Sequence, residues 1–221
     1  MTFRPKYITF DCYGTLTWFR TSDMARSLLA DRVPPERMEA FCRDWGQYRF
    51  DEVLGAWKPY PEVIDRSMQR VCQRWGIEYR RADSDAVVAA IPSWGPHPDV
   101  PAPLARVARE FPLVILSNAS DDQIQSNVDK LGAPFHRVFT AQQAQAYKPR
   151  YQAFEYMLDQ LGASPEEILH VSSSMRYDLI SAWGLRFGMM AFVARGHDPA
   201  MPSYGAHEIP DIGGLPGLVG L

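Results

Sequence analysis

The sequence predicts an α/β fold: a doubly wound parallel sheet with a helical segment inserted after the first strand. Three observations carry that expectation. Short apolar runs recur at Tyr7–Phe10, Leu113–Leu116, Ile168–Val171 and Met189–Val193, with a further short strand at Arg137–Thr140 and helical stretches between the later ones. Several of these runs stop abruptly at a polar residue: Asp11, Ser117-Asn118, or Ser172-Ser173-Ser174. Between Ser22 and Gly76 the period changes, and apolar residues fall three and four apart.

The elements follow in order. Tyr7–Phe10 reads as a buried strand, and Asp11 sits where it ends. Met24–Leu29, Met38–Trp45 and Val63–Trp75 carry apolar stripes with polar faces between them. Ser22-Asp23 offers an N-cap to the first helix, and Pro35 suits the first turn of the second. The Pro-rich run from Ile91 to Pro101 breaks regularity and marks the return from the insert. Downstream, Leu113–Leu116 is a strand, Ser120–Leu131 a helix and Arg137–Thr140 a strand. Tyr151–Leu161 is a helix stopped by Gly162, and Ser164-Pro165-Glu166-Glu167 has the form of a capping box. Ile168–Val171 and Met189–Val193 complete the strands, the last ending near Arg195-Gly196. Residues 1–18 and 94–221 are therefore expected to form a discontinuous core, and residues 19–93 a helical cap over the carboxyl edge of the first strand.

Bulk properties exclude several classes of function. The net charge of −3, with 46% hydrophobic and 22% charged residues, gives no reason to expect nucleic acid or an anionic membrane as partner. Cys12, Cys42 and Cys72 are odd in number and show no CxxC spacing, which argues against both a zinc site and a disulfide framework. No N-terminal signal pattern and no bilayer-length apolar run occur, so a reduced cytoplasmic setting is the default. The five histidines show no metal-ligand spacing, and a structural or surface role is expected for each. Trp45, Trp57 and Trp75 are expected as core or cap-interface residues.

The chemistry is expected at the strand ends. In a parallel sheet the carboxyl ends converge on one crevice, although the residues are far apart in sequence. Asp11, Ser117-Asn118, Lys148, Ser173 and Asp178 would meet there, giving one nucleophilic carboxylate, hydroxyls, an ammonium and a second carboxylate. Such a group suits displacement at an electrophilic carbon or phosphorus of a negatively charged substrate.

Phe10-Asp11-Cys12-Tyr13-Gly14-Thr15-Leu16, Leu116-Ser117-Asn118, Tyr147-Lys148-Pro149 and Ser173-Ser174 through Asp178 together resemble the motifs of the haloacid dehalogenase superfamily, in order and across nearly the whole chain. Its phosphatases usually carry a second Asp two residues beyond the nucleophile, with Mg²⁺ nearby. This chain has Tyr13, as the L-2-haloacid dehalogenases do. A phenol with an ordinary pKa of about 10 is a poor proton donor to an alkoxide at neutral pH, whereas a departing halide needs neither proton nor metal.

The resemblance implies that Asp11 displaces halide from a short (S)-2-haloalkanoic acid, forming an ester. Water would then open the ester at the Asp11 carbonyl carbon to give the inverted 2-hydroxy acid, without cofactor or metal. It further implies that Lys148 and Asp178 balance charge around Asp11. Thr15 and Ser117 would orient Asp11 and the substrate carboxylate, with Ser173 beside them and the Cys12–Tyr13 turn amides assisting. Asn118 would line the halide side, Arg43 on the second cap helix would accept halide, and Tyr60 would add an aromatic there. A small 2-haloacid is the partner implied. The cap helices permit a homodimer, common in that family, without requiring one.

Two departures stand out. Phe154 replaces a family Tyr six residues after Lys148, and Met175 replaces an Asn three residues before Asp178, so the polar ring around Asp11 and Lys148 loses two groups. Two rival readings follow: a Mg²⁺-dependent phosphatase using Asp11 and Asp178, and a weak or non-catalytic protein that binds a small acid.

Overall fold

The computed structural model describes residues 3–221. The elements are β1 (Tyr7–Phe10), α1 (Thr21–Leu28), α2 (Pro35–Leu54), α3 (Tyr60–Trp75), α4 (Arg81–Ala90), α5 (Pro101–Val107), β2 (Leu113–Ser117), α6 (Asp121–Val128), β3 (Arg137–Thr140), the single turn α7 (Ala141–Ala144), α8 (Tyr151–Leu161), β4 (Ile168–Ser172), α9 (Ile180–Gly184), β5 (Met189–Val193), β6 (His207–Ile209) and α10 (Leu215–Leu218). A π-helical turn, Met175–Leu179, joins β4 to α9. The chain divides into two compact units, one ending at Trp18 and resuming at Gly95–Leu221, the other Phe19–Trp94.

The first unit is a six-stranded, all-parallel sheet in the order β3-β2-β1-β4-β5-β6. The chain winds outward from β1 to β3, then returns to the other side of β1 and winds out again to β6. The doubly wound, Rossmann-like expectation is met, and β1 and β4 flank the point where the winding reverses. Successive side chains alternate between faces. Ile8, Phe10, Leu113, Ile115, Leu169 and Val171 pack under α5, α6 and α10. Val114, Leu116, Ile168, Met190 and Phe192 pack on the other face with Phe154 and Met157 of α8 and Ala182 of α9.

The second unit is helical. Trp45 of α2 is fully buried and donates its indole N–H to Ser67 of α3 at 3.0 Å, while Phe41 meets Trp75 edge-on. Arg32 and Asp83 form an ion pair at 2.6 Å, both side chains at most a tenth exposed. Among the described residues no helix is long and apolar enough to cross a membrane.

Local differences from expectation have identifiable causes. Ser22-Asp23 lies inside the first turn of α1, which starts at Thr21 with no side-chain cap. The helix α4 and the small strand β6 lack a strong apolar period: β6 has one buried residue, Ile209. Within the Pro-rich return, Pro101 opens α5, where its missing N–H costs nothing. The box at Ser164–Glu167 forms on a 3₁₀ turn, Glu167 accepting from the Ser164 N–H at 3.0 Å.

Candidate active site

Asp11 is held at the end of β1 by its own N–H, which donates to Val171 O at 3.1 Å and ties it to β4. The chain then turns sharply: Leu16 and Thr17 N–H both donate to Cys12 O, and Gly14 N–H donates to Thr17 O. Gly14 has φ +91°, which a side chain resists. Arg195, beyond β5, fixes this turn from outside. Its guanidinium donates to Thr15 O at 3.0 and 3.2 Å and pairs in two-pronged fashion with Asp99, both at 2.8 Å.

Around Asp11 the strand ends meet. Lys148 Nζ lies 2.9 Å from Asp11 Oδ1, 2.7 Å from Asp178 Oδ1 and 2.8 Å from Leu116 O. Thr15 donates to Asp11 Oδ2 at 2.7 Å, and Ser173 Oγ lies 3.0 Å from the Thr15 hydroxyl. The Ser173 N–H donates to the same Thr15 oxygen at 2.9 Å. Asp11 is 9% exposed, and Lys148 and Asp178 are 1% or less. A buried ammonium between two carboxylates favours the charged forms of all three groups, against the cost of burial. Burial costs the Lys148 ammonium, but Asp11 and Asp178 outweigh it and lift its pKa above the ordinary lysine value. Burial would raise Asp178, but Lys148 and His170 hold it below the usual carboxylate range. For Asp11 burial prevails: with Asp178 it raises the carboxyl above its ordinary value, against Lys148 and Thr15.

The remaining expected residues have definite places. Asn118 clamps Lys148: its Nδ2 donates to Lys148 O at 2.9 Å and its Oδ1 accepts from Lys148 N at 2.8 Å, so this amide faces the lysine backbone. Ser117 Oγ is buried without a hydrogen-bond partner, beside the lysine's carbonyl anchor Leu116. The Cys12 thiol is buried and pushed up to about 12 by burial and by Asp11, so it stays neutral. Tyr13 donates its hydroxyl to Asn127 Oδ1 on α6 at 2.7 Å. Phe154 and Met175 both lie in the apolar cluster on the α8 face of the sheet. Arg43 is exposed on α2, and Tyr60 is buried at the start of α3 in the helical unit. In that unit Arg49 lies over Phe19 and Trp45, 4.9 and 4.8 Å from their ring centres, and bonds to Tyr60.

Two histidines, expected in a structural or surface role because they lack metal-ligand spacing, stand beside the Asp11–Lys148–Asp178 cluster. His170 is wholly buried on β4, with Nε2 2.9 Å from Asp178 Oδ1 and Nδ1 2.7 Å from Thr9 Oγ1. Phe154 meets its ring edge-on at 5.7 Å. A signal was present: β4 is buried throughout, so a polar ring there needs partners, and Thr9 stands level with it on β1. His197, in the loop after β5, sets its Nε2 2.9 Å from Ser173 Oγ. Nothing in that loop's pattern distinguishes it.

Among the described residues no group of three or more His, Cys, Asp or Glu side chains is placed to hold a metal ion, and the Lys148 ammonium takes the Oδ1 atom of both Asp11 and Asp178, at 2.9 and 2.7 Å. The arrangement presents a carboxylate with a fixed counter-charge and hydroxyl donors at one sheet edge, a set of groups with the means for nucleophilic displacement.

A family model of haloacid dehalogenase-like hydrolases matches residues 5–182. The chain belongs to this family. The hydrolase is 24% identical to (S)-2-haloacid dehalogenase 4A of Burkholderia cepacia over 198 residues, 86% of this chain and 84% of that protein. It also resembles a solved dehalogenase with an intermediate complex, at a TM-score of 0.84 and 22% identity over the whole of both chains. L-2-haloacid dehalogenase from Xanthobacter autotrophicus, solved with chloropropionic acid covalently bound, matches at a TM-score of 0.77 and 23% identity, covering 97% of this chain and 98% of that one. These structural likenesses concern the fold of the hydrolase.

Proposed function

We propose that this hydrolase displaces halide from a short (S)-2-haloalkanoic acid through an ester on Asp11, yielding the 2-hydroxy acid of inverted configuration. The observation that carries the reading is the Lys148 ammonium bridging Asp11 and Asp178, which keeps a carboxylate nucleophile paired with a counter-charge. The phenol of Tyr13, bonded to Asn127, supports it further: no carboxylic acid stands two residues beyond the nucleophile to protonate an alkoxide. The covalently bound chloropropionic acid in the Xanthobacter relative agrees with an ester route.

Asp11 attacks the carbon from the side opposite the halogen. Thr15 and Lys148 hold the two carboxylate oxygens, which reduces the entropy lost on reaching the transition state. Ser117 Oγ, buried and unpartnered, is the hydroxyl we assign to the substrate carboxylate. Arg43 is assigned to the departing halide. Asp178 Oδ2, also buried and unpartnered, is the oxygen we assign to orienting the water that opens the ester. Three buried free cysteines, Cys12, Cys42 and Cys72, are in keeping with a reducing setting, which we propose is the cytoplasm.

The test is halide release from (S)-2-chloropropionate, chloroacetate and fluoroacetate under metal-free conditions. Release by the native chain, lost in Asp11→Asn, is expected. Absence of release from all three acids, or Mg²⁺-dependent hydrolysis of p-nitrophenyl phosphate, would overturn the reading.

A further inference from the structure

Ester hydrolysis at Asp11 leaves a proton behind. In the first step the carbon–halogen bond breaks as the carboxylate–carbon bond forms. In the second, water oxygen bonds to Cγ and the Cγ–O(alkyl) bond breaks. One water proton goes to the departing alkoxide; the other remains on the Asp11 carboxyl. The sum is haloacid plus water giving hydroxy acid, halide and one proton. That proton must leave a carboxyl that is only 9% exposed before the next turnover.

The neighbours of Asp11 offer few ways out. Lys148 is already protonated, and Asp178 is held ionised by Lys148 and His170. His170 meets Asp178 and Thr9 with its two nitrogens, not Asp11. Among the described residues one continuous path remains: Asp11 Oδ2 to Thr15 Oγ1 (2.7 Å), to Ser173 Oγ (3.0 Å), to His197 Nε2 (2.9 Å). Each hydroxyl has the capacity to accept one proton and pass on another, even with the Ser173 N–H also donating to Thr15.

His197 is an exposed residue, so the path from buried Asp11 ends on a residue at the surface. It has a built seat. A Cβ on Gly14 would lie 3.4 Å from its Cε1 and 3.7 Å from Ser173 Oγ, ordinary contact distances, so the ring and the serine sit directly against the Asp11 turn. Ser174 donates to Asp198 at 2.7 Å and anchors the loop.

Resting on the dehalogenase reading above, we propose that Thr15, Ser173 and His197 form the exit for the proton released by ester hydrolysis, with His197 the residue that hands it to solvent.

The charges around the imidazole are Asp198 and Arg195 in its own loop, Asp11 on β1 and Arg176 on the π turn, with His97 nearby. His97 is lowered to about 4, first by burial and then by Arg195, and so carries no charge at neutral pH. Desolvation, with the arginines, holds His197 below the ordinary imidazole value against Asp198 and Asp11. Asp11 is raised, so the two ends of the path are brought nearer in proton affinity.

The experiment is rapid-quench and steady-state halide release from (S)-2-chloropropionate with the full native chain, His197→Gln and His197→Ala. First-turnover release is expected to be unchanged in both variants, because resting Asp11 has time to equilibrate. Later turnovers should slow by about 10²-fold, the lower end of what a positioned proton-transfer group contributes. Added imidazole should restore His197→Ala in proportion to its concentration. His207→Gln, on exposed β6, serves as a control and should match the native chain. Later turnovers at the native rate in His197→Gln would overturn the relay, as would loss of the first turnover or lack of imidazole rescue. If the native chain releases no halide from any haloacid, both the dehalogenase reading and the relay fall.

Discussion

On the proposed route Asp11 must be ionised to displace halide, and its surroundings pull it in opposite directions. Burial and Asp178 raise its pKa above the ordinary 3.8; Lys148 and Thr15 resist. As pH falls through the raised value the nucleophile is protonated and lost. The acid limb of kcat/KM for a haloacid should therefore have its midpoint above 3.8, as a pH–rate profile will show. Lys148 is raised above 10.5, so its titration does not limit the rate at neutral or mildly alkaline pH. His170 offers a second test at the same scale. His170→Phe removes a donor from Asp178 and leaves the Thr9 hydroxyl with a weak bond of 3.4 Å to Leu169 O. A stability loss of about 1–3 kcal/mol is expected in urea unfolding, and Thr9→Val in the same chain should recover part of it. Recovery should be partial because Asp178 still lacks its donor.

At the scale of elements, α2 carries two arginines with different expected consequences. Arg43 is exposed, so Arg43→Ala should leave the melting temperature nearly unchanged while slowing halide release. Arg49 stacks on Phe19 and Trp45, so Arg49→Ala should lower stability by about 0.5–2 kcal/mol in the same unfolding assay. If Arg49→Ala instead abolishes turnover with stability intact and Arg43→Ala does not, the halide role belongs to Arg49. Elements with a strong period or a clear stop were legible from sequence: β3, α8 and β5 occupy the expected residues. α4 and β6 were not, since short segments with one to three buried residues carry little pattern. Site residues at strand ends were legible for the same reason as the strands themselves. His170 was not recognised because its partners, Thr9 and Asp178, come from other elements. The loss of hydroxyl and amide implied by Phe154 and Met175 likewise looked different in three dimensions. Both side chains complete an apolar cluster, and His170 supplies a polar contact to Asp178 from the neighbouring strand.

For the whole molecule, the parallel order β3-β2-β1-β4-β5-β6 brings residues 167 positions apart in the chain, Asp11 and Asp178, onto one ammonium. The order of the strands came with the structure, but the doubly wound parallel sheet followed from the alternation of strands and helices together with the handedness of their crossovers. The Arg195–Asp99 fork that braces the Asp11 turn did not, because it joins two irregular segments. The bridging lysine has a practical consequence. A break in the chain at Gly162, where α8 ends in an open left-handed turn, would leave Asp11 and Lys148 on one piece and Ser173 and Asp178 on the other. Neither piece alone would hold both carboxylates, so halide release should return only when the two are mixed and β4 docks beside β1. Ion release in such a mixture would turn strand pairing into a signal countable against fragment concentration, making the enzyme a reporter of its own assembly.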